Sequence, residues 1–543
     1  MVKMKKKIVM GAGILALASL TLAACGGKEK EAKKASDFSI EGRYEVDATK
    51  PAWQLDTKKD NKLTWYINAD WLKLDWGQDM VTAKIKEDLN LDVEIITGDD
   101  TKLNTMFSGG ELPDIVTLTD FNSAAAKKAN TWALPLDELA KNFDPYFNEV
   151  AAQETLNWFT MDDGKTYGYP NFSNTTQDYK DNIMPVNTNF IIRKDVYDAI
   201  GQPKLDTPEN FRQAMKDISA KFPDLVPFGF NPVVDNTGAL EKPLQDWIGV
   251  PLETEDGEFY DRNLDEDYLT WLKTINEVYQ DGNVVDDSFA DDGPTFDEKV
   301  KSGKYATMLL DGISGQGGRL QEFNNANPGN EYLPIDGPQS TKGNEPTLNA
   351  TGLSGWMINY VSKDAKDPAK AIQLFTYLIS EQGQILTKFG IEGETFQYTA
   401  DNKIEILPEI QQLQLEKPEE ASKKYRLTEF LLFSHDRTNL LAAPKKDFSL
   451  KKMQEWGVGK LKPHFIIENI KPEAGTAEAR SFEQIEKNWH TSLISMLRSK
   501  DSKEFDKKLD AYKKFREDNS WDDILKIQNE NMAKNREKLD LDK

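Results

Sequence analysis

A chain of 543 residues is longer than one hydrophobic core supports and divides into two or three domains. With 91 Asp and Glu against 68 Lys and Arg, its formal net charge is -23. So acidic a chain argues against nucleic acid and against broad electrostatic adhesion to anionic lipid, and it disfavours anionic ligands unless a local basic cleft overrides the mean.

The amino terminus carries Lys3, Lys5, Lys6 and Lys7, then an apolar run from Ile8 to Leu22. That run is shorter than the roughly 20 residues a membrane-crossing helix needs. A basic start, a short apolar core and a small-residue exit predict a signal peptide over residues 1–24. The exit, Leu22-Ala23-Ala24-Cys25-Gly26, resembles the bacterial lipobox, which implies a thioether to diacylglycerol at Cys25 and a new amino terminus there. Cys25 is the only cysteine, so no intramolecular disulfide forms, and a thiol at this position reads as a lipid anchor. The expected location is the outer face of the cell membrane, of Gram-positive type. The charged stretch "GGKEKEAKKASD" has no apolar residue larger than alanine, and residues 25–61 are predicted to form a disordered tether.

Beyond the tether, "KLTWYINAD" predicts a strand, and Val81, Ile85 and Leu89 fall on one face of a helix. "LDVEIITG" follows as a second strand, completing a β-α-β unit whose parallel strands require a right-handed crossover. "LPDIVTLTD" adds a third strand over 115–118. The pattern recurs in the strand "NFIIRKD" and in a helix capped by Thr207 with Pro208 at its first position, its buried stripe being Phe211, Met215 and Ile218. "SGKYATMLLDG" is another strand. "KDPAKAIQLFTYLIS" is a capped helix with an inner face of Ile372, Phe375 and Ile379. From about Ser502 the chain is charged and helical, with Phe505, Leu509, Tyr512 and Phe515 on one side. Strands alternating with helices over this length predict α/β layers.

Six stretches in order carry a family resemblance: "NTMFSGGELPDIV", "DGKTYGYPN", "FIIRKDVYDAIG" with its "TPENF" helix start, "SGKYATM", "YLPIDGP" and "FGIEGETFQY". Behind a lipobox, this set resembles the extracellular solute-binding lipoproteins of carbohydrate ABC importers, the family of the maltose- and alginate-oligosaccharide-binding proteins. The resemblance covers residues 60 to 400 and is weaker in the last 140. It implies a periplasmic-binding-protein-like α/β fold: two α/β lobes, a ligand cleft between them and crossover hinge segments. The expected bounds are 62–185 plus about 355–440 for one lobe, and 186–354 plus about 441–543 for the other, with a helical C-terminal extension. It further implies a monomer that binds a small carbohydrate, hands it to ABC transporter permease subunits and uses no cofactor.

A sugar cleft needs flat aromatic faces and planar polar groups, because each hydroxyl gives up water only where it is hydrogen-bonded again. In open α/β sheets such sites gather at the carboxyl ends of strands. That rule selects Asp70, Trp71 and Trp76 after the first strand, Asp120, Phe121 and Asn122 after the third, and Asp311 after "YATMLL". Trp356 beside the crossover strand "GWMINY", Trp247 in "PLQDWIGVP", and Glu392 with Tyr398 in "GIEGETFQY" complete the candidates. Each tryptophan also has a core reading, and Arg193 either faces ligand or holds Asp195.

Some relatives carry a calcium loop after the helix that matches Phe211 to Ile218. Here the chain reads "AKFPDLVPFGFNP", with too few oxygens for six to eight ligands, so no metal is expected there. His435, His464 and His490 are widely spaced, with no ligand-like pairing. Two other functions fit the composition: a peptide-binding or sensory lipoprotein on the same scaffold, and a secreted glycoside hydrolase, which needs two carboxylates flanking the scissile bond.

Overall fold

The computed structural model describes residues 34–232, 238–444 and 448–541. The expected signal peptide, Cys25 and the first part of the tether lie outside the described residues. The described residues form eleven strands in chain order: β1 Asn61–Ile67, β2 Leu91–Thr97, β3 Ile115–Leu118, β4 Gly168–Pro170, β5 Thr188–Arg193, β6 Val226–Phe230, β7 Tyr305–Asp311, β8 Tyr332–Pro334, β9 Ile358–Val361, β10 Phe396–Tyr398 and β11 Ile404–Ile406. The last two form a separate antiparallel hairpin.

The first sheet has the order β2-β1-β3-β9-β4. β1 and β2 run parallel, from Asn61 opposite Leu91 to Ile67 opposite Thr97, and the helix Met80–Leu89 connects them. Asp79 caps that helix by accepting the Thr82 N–H at 2.9 Å, and Asn90 ends it in the left-handed region at φ 47°. Val81, Ile85 and Leu89 are buried, as their spacing predicts. The second sheet has the order β6-β7-β5-β8, with β5 antiparallel to β7 and β6 parallel to it. The helix Pro208–Lys221 lays Phe211 into an aromatic knot, edge-on to Phe228 at 5.2 Å and to Trp271 at 5.7 Å. The helices Ala477–Leu497, Ser502–Asp518 and Trp521–Lys538 belong to the same core, which receives Trp489, Phe505 and Tyr512.

Two stretches depart from the sequence reading. The helix Pro368–Ile379 is buried on every side, not along one stripe. What covers its outer face is residues 34–60, which the sequence assigned to a disordered tether and which the structure packs against the first core. Ala35 is fully buried, and Phe38, Ile40 and Trp53 rest on that core. The segment is held by charge. Asp56 pairs with Arg43 and with the buried Lys370 at 2.9 Å, and Arg43 also pairs with Asp367, the cap of the buried helix, at 2.9 Å. Lys370 is tolerable inside the protein because Asp56 comes with the segment. Charge density alone read as disorder; the charges have fixed partners far along the chain, which a local reading misses.

The chain passes between the two sheets three times, after β4, after β8 and again after Phe433, and these passes lie side by side. Asn171, 1% exposed, ties them together. Its Oδ1 accepts the N–H groups of Trp356 and Met357 at 3.1 and 2.9 Å, and its Nδ2 donates to Leu431 O at 2.7 Å. Its own N–H and C=O bond Met357 O and the Ser434 N–H. Three residues on, the buried Asn174 donates to Thr351 O and to Asp436 Oδ2, each at 3.0 Å. Gly355 sits at φ +64° where a Cβ would stand 2.5 Å from Phe172 O, so only glycine lets the second pass lie this close.

Asn171→Ala is expected to destabilise the protein by about 2–4 kcal/mol in urea unfolding, because two backbone N–H groups and one carbonyl lose their partner together. A second prediction concerns Asp144, which accepts the Ala52 N–H at 3.0 Å and so fastens the amino-terminal segment. Burial pushes its carboxyl up to about 6, with the Ala52 bond opposing. The folded state then holds the proton longer than the unfolded one, so this group's stabilisation is complete below pH about 4 and is lost as pH rises through about 6. Asp144→Asn keeps the acceptor without the charge. It should raise stability by about 2 kcal/mol at pH 7.5 and leave it unchanged at pH 4, read from unfolding curves at both values.

Candidate binding cleft

Beside the three crossovers lies a cavity of about 1060 Å³, larger than the usual drug-sized pocket. From the first sheet's side it is lined by Asn122, which follows β3, and Phe172, which follows β4. The crossovers contribute Asn349, Thr351 and Asp436, and Glu468, from the stretch before the helix Ala477–Leu497, reaches the second of them. The second sheet supplies Thr188 at the start of β5 and Asp311 at the end of β7, a strand's carboxyl end as the general rule requires. Farther along, the wall is made by the helix Lys242–Trp247 and by aromatic side chains from the last three helices, among them Trp489, Tyr512 and Trp521. Ala474 donates its N–H to Asn122 O at 3.2 Å, so the loop after β3 meets the segment before the helix Ala477–Leu497 at the cavity.

The polar groups in this wall are held in place. Arg262 donates to Asp246 at 2.6 Å, and His464 fixes its ring on Thr347 O at 3.0 Å, with burial pushing its pKa down. His490 bonds Glu241 at 2.7 Å, and that bond raises its pKa. Asp311 accepts from Thr188 Oγ1 at 2.6 Å, yet burial leaves its carboxyl above the ordinary range. Glu468 accepts the backbone N–H groups of Leu353 and Ser354 and the Ser354 hydroxyl at 2.6 Å, and burial outweighs them to raise it too. Asp436 is likewise raised by burial, against bonds from Asn174 and Asn439. These carboxyl and amide groups present acceptors to an occupant, and the aromatic rings present flat apolar faces. Among the described residues no cluster of three or more metal-ligating side chains exists.

Of the residues selected from sequence, Asn122 and Asp311 line the cavity and Asp120 stands at its edge, accepting the Asn122 N–H at 2.8 Å. Trp71 and Trp356 are exposed and stack on each other, 6.1 Å between centroids and 27° between planes. Trp356 adjoins the Asn171 clip, so this pair links the loop after β1 to the crossover. Trp76 is instead buried in the first core, its indole N–H on Leu91 O at 3.2 Å. Trp247 is buried and stacked on Trp456, 4.6 Å between centroids with nearly parallel planes, and donates to Pro338 O. Arg193 chelates Asp195, donates to Gly303 O at 2.7 Å and lies over Phe323, away from the cavity. Glu392 and Tyr398 sit at the β10–β11 hairpin, also away from it. The sequence reading missed Phe172, Asp246, Arg262, Asp436, Glu468 and His490. The one available signal was the end of "DGKTYGYPN", which leads directly into Phe172.

No protein-family model matches the chain, and no curated protein matches its sequence. Solved structures do match. The crystal structure of the alginate-binding protein AlgQ2 superposes with a TM-score of 0.62 at 14% identity, over 88% of this chain and 99% of that one. An extracellular solute-binding protein from Bifidobacterium longum subsp. infantis gives 0.66 at 12%, over 88% and 98%. The S. pneumoniae ABC-transporter substrate binding protein FusA, in complex with kestose, gives 0.61 at 15%, over 87% and 99%. These likenesses span nearly the whole of each neighbour, and the chain has their fold: two α/β lobes of the periplasmic-binding-protein type, joined by crossover segments.

Proposed function

We propose that this protein is a lipid-anchored, extracellular substrate-binding protein that delivers a carbohydrate, an oligosaccharide, to the permease of an ABC transporter by closing its two lobes. One observation carries this reading: a cavity large enough for several sugar rings lies at the hinge and combines fixed acceptors with aromatic faces. Its setting supports the reading too, since proteins of this fold include the alginate-binding AlgQ2 and FusA with kestose bound. The lipobox at Cys25 supports attachment at the membrane surface. Among the described residues no helix is long and apolar enough to cross a membrane. Delivery without chemistry fits the way the cavity carboxylates are engaged as hydrogen-bond acceptors. Trp71 and Trp356 are proposed as a platform for one sugar ring, because an exposed stacked pair beside the hinge offers an apolar face that neither core uses.

The decisive experiment incubates the mature protein with a panel of oligosaccharides and of peptides, and follows heat, reaction products and small-angle scattering together. Saccharide binding with compaction and no cleavage is expected. Cleaved saccharide would establish a hydrolase, and binding of peptides alone would establish the rival receptor. For a saccharide that binds, Trp356→Ala should weaken affinity about 3- to 10-fold by calorimetry, the range of one lost aromatic contact.

A further inference from the structure

From Lys34 on, the stretch that reads as a tether is built into the first lobe. Ala35 is fully buried in the first core together with Leu136, Leu139 and Phe143. Tyr44 donates its hydroxyl to Phe143 O at 3.0 Å, and Ala52 donates its N–H to the buried Asp144 at 3.0 Å. Trp53 meets Tyr377 edge-on, 5.1 Å between centroids. Arg43, Lys58 and Lys370 converge on Asp56 and Asp367, with Lys58 reaching Asp367 at 2.6 Å. Releasing this segment would leave Lys370, 1% exposed, without its carboxylate, which is strongly unfavourable for a buried charge.

Were all of residues 25–61 slack, the lobe could stand about 120 Å from a lipid held at Cys25, at about 3.3–3.6 Å per residue. With the segment docked, only residues 26–33 separate Cys25 from the fold, and whatever their conformation they reach no farther than about 30 Å. The length of free chain and the place where it ends therefore select the surface that can meet a bilayer. Around Lys34 that surface is made by Ala35–Asp37 and by the helix Leu136–Phe143 against which they pack. Lys34, Asp37, Asp137 and Lys141 are exposed there, two of each sign, while Leu136, Leu139 and Phe143 are buried. Such a surface suits polar headgroups and not insertion among acyl chains.

We propose that this face of the first lobe is the one presented to the lipid bilayer, with residues 34–60 serving as a clasp that shortens the anchor. This inference rests on the lipid-anchor reading at Cys25, and it adds which lobe stands against the membrane and within what range. A leash about fourfold shorter raises the lobe's effective concentration at a membrane partner about eightfold, because that quantity falls as roughly the −3/2 power of length. The clasp thus acts on encounter with a membrane partner and leaves the sugar cavity untouched.

The test uses the lipoprotein isolated from cells and reconstituted in vesicles of phosphatidylcholine and phosphatidylglycerol that carry an energy acceptor on the headgroups. A donor dye is attached at Lys141→Cys, in the clasped lobe, or at Lys526→Cys, on the last helix of the second; a lipidated Cys25 has no thiol to label. Transfer is expected to be stronger from position 141 than from position 526. It should fall at least about twofold when the clasp is opened, since the mean span of a slack chain doubles as its length quadruples. Two variants open it: Arg43→Gln, Asp56→Asn and Lys370→Met together, which removes the buried charges as a set, and Ala35→Asp with Trp53→Ala, which alters the segment alone. Each is checked for cooperative unfolding, and trypsin should cut each after Lys58 or Lys59, where the wild type resists. Equal transfer from the two positions, or transfer from position 141 that survives in a variant shown by trypsin to be open, overturns the inference and leaves the anchor standing. So does cleavage of the wild type after Lys58 or Lys59 as fast as that of the variants. Protein that fails to float with the vesicles carries no lipid, which overturns the anchor reading and this inference with it.

Discussion

One buried carboxamide holds three passes of the chain in register. Asn171 bonds backbone groups of the passes that contain Trp356, Met357 and Leu431 from within its own, using both ends of its side chain. An amide accepts at one end and donates at the other in the same plane, so no apolar or singly functional residue replaces it. The cavity takes its position from this clip. Phe172 is the next residue, Asp436 lies two beyond the Ser434 that bonds Asn171 O, and Glu468 grips the crossover at Leu353 and Ser354. The cavity wall and the crossovers are thus one structure, and an occupant of the cavity would touch the segments that join the lobes.

That arrangement requires each lobe to be stiff by itself. The first is stiffened by residues 34–60, whose Arg43 and Asp56 close over the fully buried helix Pro368–Ile379 and satisfy Lys370. The second is stiffened by its aromatic knot and by the three C-terminal helices packed behind it. With each core closed, the softest connection left is the set of crossovers, where backbone pairs through a few amides and not through a continuous sheet.

The elements were legible in the sequence because their signals are local. Thr207 before Pro208 marks a helix start, and the spacing of Val81, Ile85 and Leu89 marks a buried face, whatever lies elsewhere in the chain. The site was not legible, because its parts meet only in space. Trp71 and Trp76 lie five residues apart in one acidic loop, yet the first is exposed on the hinge side and the second fills the core. Nothing in their neighbours separates them; the backbone's return towards the helix Met80–Leu89 does. Trp247 was chosen for its indole, while the cavity is lined by the preceding Gln245 and Asp246 on the other side of that short helix. Asp436 and Glu468 sit in stretches with no pattern of their own, and their significance comes from residues 174 and 351–354, far off in sequence. Arg43 shows the same limit in the opposite sense: a charge that looked solvated is a structural pin.

The acidity of the cavity also bears on how closure depends on an occupant. In the closure proposed above, removing solvent from Asp311, Asp436 and Glu468 with only water in the cavity would oppose the closed form. Burial has already raised Asp311, Asp436 and Glu468. Further desolvation without compensation must either neutralise them or push the lobes apart. An occupant that donates to these oxygens reverses the sign of that contribution, so its affinity for the closed form exceeds its affinity for the open one by the repulsion it removes. A ligand shifts a conformational equilibrium only by such a difference. For the closure proposed above, these carboxylates thus disfavour an empty closed form and favour one whose occupant donates to them.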